Sequence, residues 1–528
     1  MSQSSDDQLG TEELLAEFTK IVGQSGVLTG AAADALATDV YHKLYSPVCA
    51  VSPRTIDQLV GTVKLCKRYG LKVSIRGGGA SYTDGYTIRL ENVALLDLSK
   101  LDSICEINET DLYVTVEAGV TWMALKERLD SLGLRTPFWG PFSGLRATIG
   151  GSVSQNTISH GSGMYGISAQ NVLSMDIVTA DGEILRTGAQ MAGGSAGLRY
   201  FGPDFTGLFT GDCGTLGVKA RITLPLIRKK AAHRVASFAF EDFGSMHESM
   251  RLIGAERLED THFALDAALS QGQIARQERA GDIMKIAWAI FTSSPSLLEG
   301  AKQLLKAALS GKRAINNSAY MTHYIIQGFS DAEVRARLHR LRQIIEPLGI
   351  EIPASAPAVV RGMPFAPFYN TLGPQGERWV PLHGILPHSK VAEFHQALTD
   401  FYAQREVDMK AHGVWTGGMF ASVGSSGFLY EIAIYWPDEI TDYHRREVPA
   451  DYLATLPVYP QNEPARAYVE QLKSDLVDLF CQYQAVNFQL GKMYPFRSRL
   501  QPEAQRLLDN IKGALDPSRR ISTDSLGL

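Results

Sequence analysis

VSIRGGGASYTDGYT, residues 73–87, places three consecutive glycines directly behind a strand-like run (Val73, Ile75) and an arginine. Glycine there forfeits conformational entropy, so the backbone must need an unusual angle or a close approach. A row of unhindered N–H groups behind a strand makes a concavity that holds an anion, with phosphate the usual guest. The rival reading is a tight turn between two strands. The stretch lacks the Gly-Lys-Ser/Thr ending of a nucleoside-triphosphate loop, and Gly77-Gly78-Gly79 does not fit G-x-G-x-x-G. A phosphate bound here belongs to some other cofactor.

Outward from this loop the pattern is strand, helix, strand, glycine loop, strand over 46–100, with Thr55 opening the helix and Gly70 closing it. Residues 112–118 (LYVTVEA) alternate as a strand. TWMALKERLDSLG reads as an amphipathic helix with Trp122, Leu125 and Leu129 on one face. Residues 137–172 are rich in Gly, Ser, Thr and Asn yet nearly uncharged, a composition suited to lining something with many hydrogen-bonding groups. LSMDIVTADGEILR (173–186) predicts a hairpin turning at Asp181-Gly182. Past about residue 228 the texture changes: HESMRLIGAERL and DAEVRARLHRLRQIIEPLG are helical, while AYMTHYIIQG, RWVPLHGILPH and GFLYEIAIYWP are strands. ERAGDIMKIAWAIF and SPSLLEGAKQLLKAAL fit the same α+β texture with an antiparallel sheet.

At 528 residues the chain exceeds one hydrophobic core, so two or more domains are expected. A net charge of −5 argues against a nucleic-acid binder. Five scattered cysteines without a C-x-x-C pair fit a reducing compartment and argue against a disulfide scaffold or zinc finger. The opening MSQSSDDQLG carries no secretory signal, and no run approaches the roughly 18 apolar residues of a membrane helix. A soluble, cytoplasmic protein is expected.

Five fragments in one order then carry a resemblance: SIRGGGAS (74–81), VEAGVTW (116–122), ATIGGSVSQNTISHGSGMYG (147–166), VLSMDIVTADGEIL (172–185) and GPDFTGLFTGDCGTLGV (202–218). Together they resemble flavoproteins of the vanillyl-alcohol oxidase / p-cresol methylhydroxylase family. The resemblance implies an α+β fold: an FAD-binding domain of two α+β subdomains over 1–228, an α+β cap (substrate) domain with an antiparallel sheet over 229–480, and a segment, 481–528, that returns to the FAD domain. It implies that Gly77, Gly78 and Gly79, with Arg76, Ala80 and Ser81 alongside, cradle the FAD pyrophosphate. Thr148, Gly150, Gly151, Ser152, Asn156, His160, Gly161 and Gly166 fall where the family lines the flavin, and Val178 near the adenine. Members that link FAD covalently use a histidine in the glycine loop, where this chain has Ala80 and Ser81, or a residue of the cap, where Arg378 or Trp379 stands. Noncovalent FAD is expected.

In this family a substrate C–H lies over flavin N5 and leaves as hydride, while a nearby base prepares the substrate. His383 is the candidate base, and Tyr494 with Arg497 (or Arg499), on NFQLGKMYPFRSR, are the candidates to hold a phenolate or carboxylate. No metal site is expected, because LHGILPH lacks the Asp and Asn of the HxGDGNxH motif of D-2-hydroxy-acid-oxidising relatives. The expected activity is oxidation of a CH–OH group, foremost of an aromatic or phenolic alcohol. The alternatives are a D-2-hydroxy-acid dehydrogenase without the metal site and a non-redox flavin lyase or partner subunit. The expected partners are a small-molecule substrate, an external electron acceptor and a second copy in a homodimer, with neither nucleic acid nor membrane.

Overall fold

A computed structural model of the chain describes residues 5–279 and 318–528. The patterns read over 280–291 and 294–309 lie outside the described residues. The chain divides into two compact units. The first takes residues up to Thr157, Ser168–Ile227 and Gln489–Leu528; the second takes Ile158–Ile167 and Arg228–Phe488.

The first unit holds a four-stranded and a five-stranded sheet. One contains β1 (Val27–Leu28), β2 (Cys49–Val51), β3 (Lys72–Arg76) and β4 (Val93–Asp97) in the order β1-β2-β4-β3, with β2, β4 and β3 parallel. Parallel neighbours need a crossover, and the helix Ile56–Arg68 supplies it between β2 and β3. Thr55 caps that helix by accepting from the Gln58 amide at 3.2 Å, and Leu59, Thr62, Val63 and Cys66 form its buried stripe. The second sheet is antiparallel throughout: β5 (Ile104–Asn108), β6 (Tyr113–Glu117), β7 (Ser174–Val178), β8 (Ile184–Arg186) and β9 (Val218–Pro225), ordered β5-β6-β9-β7-β8. The hairpin between β7 and β8 turns at Gly182, whose φ of +74° only glycine adopts easily. The chain's last residues rejoin this unit. The Val73 amide donates to the Arg520 carbonyl and the Ser522 amide to the Val73 carbonyl, each at 2.8 Å, so 520–522 runs along the free edge of β3.

The second unit is built on a seven-stranded antiparallel sheet: β10 (Ala232–Phe240), β11 (Thr261–Asp266), β12 (Tyr320–Gly328), β13 (Ile350–Ile352), β14 (Arg378–Pro387), β15 (Trp415–Val423) and β16 (Gly427–Trp436), ordered β13-β10-β12-β11-β15-β16-β14. Alternation along β16 puts Phe428, Tyr430, Ile432, Ile434 and Trp436 on one face. There the helix Phe243–Glu256 packs, with Phe243 stacked on His395 at 3.7 Å and edge-on to Phe420 and Phe428. The opposite face carries Leu429, Glu431, Ala433 and Tyr435. The fold is thus α+β, with an antiparallel sheet in the second unit, as expected.

Two boundaries differ from the expectation. Residues 158–167 belong to the second unit, because the Gly424 amide donates to the Ser162 carbonyl at 3.2 Å and Gly163 lies so close to Glu259 and His262 that a Cβ would touch both. The return begins at Gln489 rather than 481: Ile385 and Val486 exchange backbone hydrogen bonds of 2.8 and 3.0 Å, and Phe488 stacks on His383.

Candidate active site

The glycine triplet ends β3 by running against another loop of the first unit. A Cβ on Gly77 would overlap the Thr148 hydroxyl, and one on Gly78 would overlap the carbonyl oxygen of Arg146. Gly79 turns with φ +75°. Close approach and a positive φ therefore both require glycine. Among the described residues no acceptor takes the N–H groups of Gly77, Gly78, Ala80 or Ser81. Such a run of undonated amides beside positive-φ glycine fits an oxyanion such as the FAD diphosphate.

The neighbouring expected ligands have structural work. Arg76 is buried and ion-paired with Asp97 at 2.9 Å, and it also donates to the Gly77 carbonyl at 3.0 Å. It braces the loop from behind. The Ser81 hydroxyl oxygen accepts from the amides of Thr83 (3.3 Å) and Gly85 (3.1 Å) and so orders the turn that follows. Thr148 caps the helix Ile149–Gln155, accepting from Gly151, while the Gly150 amide donates to the Ala118 carbonyl at 2.9 Å. A Cβ on Gly150 would press into Ala118. Ser152 is buried and accepts from the Trp122 indole N–H at 2.8 Å. Asn156 ends the helix at φ +56° and accepts from the Ala169 amide. Val178 is buried in β7, opposite Val218.

His160, Gly161 and Gly166 lie in the second unit instead, on the 158–167 excursion, where φ values of +90° and +80° at the two glycines make its sharp corners. The buried His160 donates Nε2–H to the Pro364 carbonyl at 2.6 Å, since a carbonyl can only accept. Burial holds its pKa down at about 4, so the ring is neutral at pH 7.

On the second unit's sheet, His383 is fully buried in β14 with its ring 4.0 Å from that of Phe488. Asn487 donates to the His383 carbonyl at 2.9 Å. Directly across the ladder stands Glu431 of β16, which on its other side faces Met419 of β15. The sequence reading placed Glu431 on this strand but gave it no role. Its carboxyl makes no hydrogen bond to any described residue, and burial pushes its pKa up to about 7. Four residues along, the same face carries Tyr435 stacked on Trp415 at 4.0 Å, and the buried Arg276 donates to the Tyr435 hydroxyl at 3.0 Å. His388 has left the strand to open the helix His388–Ala411, its Nδ1 3.0 Å from His247 Nε2.

Tyr494 and Arg497 are in the first unit, on the return segment. Tyr494 is buried. Arg497, expected to hold the substrate, is half-exposed and ion-paired with Asp509 at 2.7 Å, tying it to the helix Pro502–Leu515. Just before them in sequence, and given no role by the sequence reading, Lys492 donates to the carbonyls of Asp84 (3.0 Å) and Thr87 (2.9 Å). Burial lowers its pKa to about 8. A lone lysine in the apolar run NFQLGKMY was the available signal. Among the described residues no group of three His, Cys, Asp or Glu side chains is placed to hold a metal ion, and no helix is long and apolar enough to cross a membrane.

Residues 47–188 match the family model described as FAD binding domain. In sequence the chain is similar to "Glycolate oxidase subunit GlcD" of Bacillus subtilis (strain 168), 28% identical over 222 residues that cover 42% of this chain and 45% of that protein. It is similar too to "Probable D-lactate dehydrogenase, mitochondrial" of Danio rerio, 29% identical over 218 residues, 41% of this chain and 42% of that one. The chain thus spans less than half the length of these curated relatives. Its fold is that of p-cresol methylhydroxylase solved with substrate bound, with a TM-score of 0.71 at 15% identity over 98% of this chain and 97% of that one. The open amides of the 77–81 turn lie inside the stretch that matches the FAD binding domain model, and FAD is the cofactor of this chain.

Proposed function

We propose that the protein is an FAD-dependent oxidoreductase that takes hydride from a CH–OH carbon. Bound FAD supplies the two-electron acceptor. The chain's part is to hold the substrate and remove its hydroxyl proton. The observation that carries this reading is Glu431: a carboxyl with no hydrogen bond among the described residues, a pKa of about 7, and a place opposite His383. A base poised near the working pH is what proton removal asks for. Glu431 accepts the proton, His383 flanks it across the ladder, and Tyr494 stays the candidate to hold a phenolic oxygen. The stacked Trp415–Tyr435 pair on the same sheet face favours an aromatic or phenolic alcohol. The names of the sequence relatives favour a second reading, a D-2-hydroxy acid.

Mixing the FAD-loaded protein anaerobically with vanillyl-type alcohols and with D-lactate tests both readings. Bleaching of the flavin by one class identifies it. No bleaching by either removes the oxidoreductase reading in favour of a flavin lyase or partner subunit.

A further inference from the structure

Arg361 sits half-buried in the last turn of the helix Ser355–Gly362. It follows Pro357 and Ala358 by four and three residues, so it shares their buried side of a helix that packs on β10 and β12. Among the described residues its guanidinium has neither a hydrogen-bond acceptor nor a carboxylate partner, and Nε is sealed from solvent. Burial alone draws its pKa below the ordinary arginine value. Three other arginines do have partners: Arg76 has Asp97, Arg466 has Asp438, and Arg276 donates to the Leu372 carbonyl and the Tyr435 hydroxyl.

A part-buried guanidinium without a counter-ion carries a desolvation cost at its sealed Nε, and arginine cannot escape by losing its proton. Among the described residues nothing supplies that partner, which leaves the guanidinium open to an anion. Three residues on, the Pro364 carbonyl receives the His160 N–H, and the His160 ring lies 6.3 Å from that of Phe365. The segment just after Arg361 is thus tied to the glycine-rich 158–167 excursion. We propose that Arg361 anchors an oxyanion of the substrate, a carboxylate or a phosphate ester, which the guanidinium fork matches with two parallel hydrogen bonds. This deepens the reading above and rests on it.

The test is calorimetric titration of the FAD-loaded protein with oxalate, mandelate, inorganic phosphate and neutral methyl mandelate. Arg361→Gln is expected to weaken the carboxylates or phosphate by about 30-fold or more while leaving methyl mandelate and FAD content unchanged. Whichever probe loses affinity tells carboxylate from phosphate. Arg361→Met is expected to raise Tm without anion and to abolish the anion-dependent rise. Equal binding, or equal failure to bind, of every oxyanion by wild type and Arg361→Gln overturns the proposal, as does loss of FAD from the variant. Binding is read without turnover. If no alcohol or hydroxy acid bleaches the flavin yet oxalate affinity collapses in Arg361→Gln, hydride transfer fails as a function and the anion site stands.

Discussion

Glu431 is the residue on which chemistry and stability pull apart. An acid whose folded pKa is about 7 against an ordinary 4.5 is disfavoured in its ionised form. That penalty is absent below pH 4.5, grows as the unfolded chain ionises first, and is complete above pH 7. Glu431→Gln is therefore expected to stabilise the protein at pH 8 by about 1–3 kcal/mol and to leave it unchanged at pH 4. Urea unfolding at the two pH values measures this. The same change removes the base: flavin reduction should slow about 100-fold and lose its ionisation near pH 7. A slower rate with the pH profile intact would assign Glu431 a packing role. Tyr494→Phe has a narrower signature. It should slow reduction by phenolic alcohols and spare D-lactate, since only a phenol presents the oxygen that Tyr494 is proposed to hold.

The glycine loop shows how an element is held in shape by its neighbours. Lys492 and Gly491 of the return segment close over residues 83–87, the Lys492 amide donating to Thr83 at 2.9 Å, while the Gln489 amide donates to Gln155 at the end of the helix 149–155. Loop, helix and return segment brace one another. Gly78→Ala drives a methyl into the Arg146 carbonyl, which belongs to backbone and cannot swing away. The variant is expected to bind FAD at least about tenfold more weakly, as read by flavin content and fluorescence titration. Gly513→Ala is the matched control. It lies in the helix Pro502–Leu515 with open space around it and should gain about 0.5–1 kcal/mol with full FAD content. The triplet's need for glycine was readable from residues 73–87 where its cause is local, the positive φ of Gly79; the contact of Gly78 with the Arg146 carbonyl, remote in sequence, was not. The ion pair of Arg497 was hidden from the sequence as well. Nothing near it announces Asp509, although the helix that carries Asp509 was legible from its spacing. Glu431 was visible as a strand residue, but a carboxyl's lack of partners depends on the register of three strands joined across 50 residues.

For the whole molecule, acid is the revealing variable, because the two units bury different titratable groups. The second unit holds His160, His323 and His444 neutral, with pKa values of about 4, 3 and 3 where burial dominates. His323 Nδ1 meets the Ser237 hydroxyl at 2.8 Å against the Phe263 ring, and His444 Nδ1 meets the Thr441 hydroxyl at 2.8 Å. Below pH 6.5 the unfolded chain binds protons at these histidines and the folded unit does not, so stability falls with pH until about 3–4. Glu431 and Asp266, raised to about 7 and about 6, act the other way between pH 7 and about 4, because the folded unit protonates them first. Above about pH 4.5 the two sets largely offset each other; below it the histidines act together with carboxyls that their arginine partners hold low, such as Glu248 beside Arg251 and Glu256 beside Arg340. The first unit contains one comparable group, Asp39 at about 6, among the described residues with a shifted aspartate or glutamate above pH 5. The second unit is therefore expected to unfold first on acidification, with its steepest loss below about pH 4.5. Urea midpoints followed from pH 7 to pH 3.5 should show that break, and His323→Gln should flatten it by about one proton, roughly 1.4 kcal/mol per pH unit. A single transition for both units with the same slope in wild type and His323→Gln would mean that the buried imidazoles do not govern acid stability.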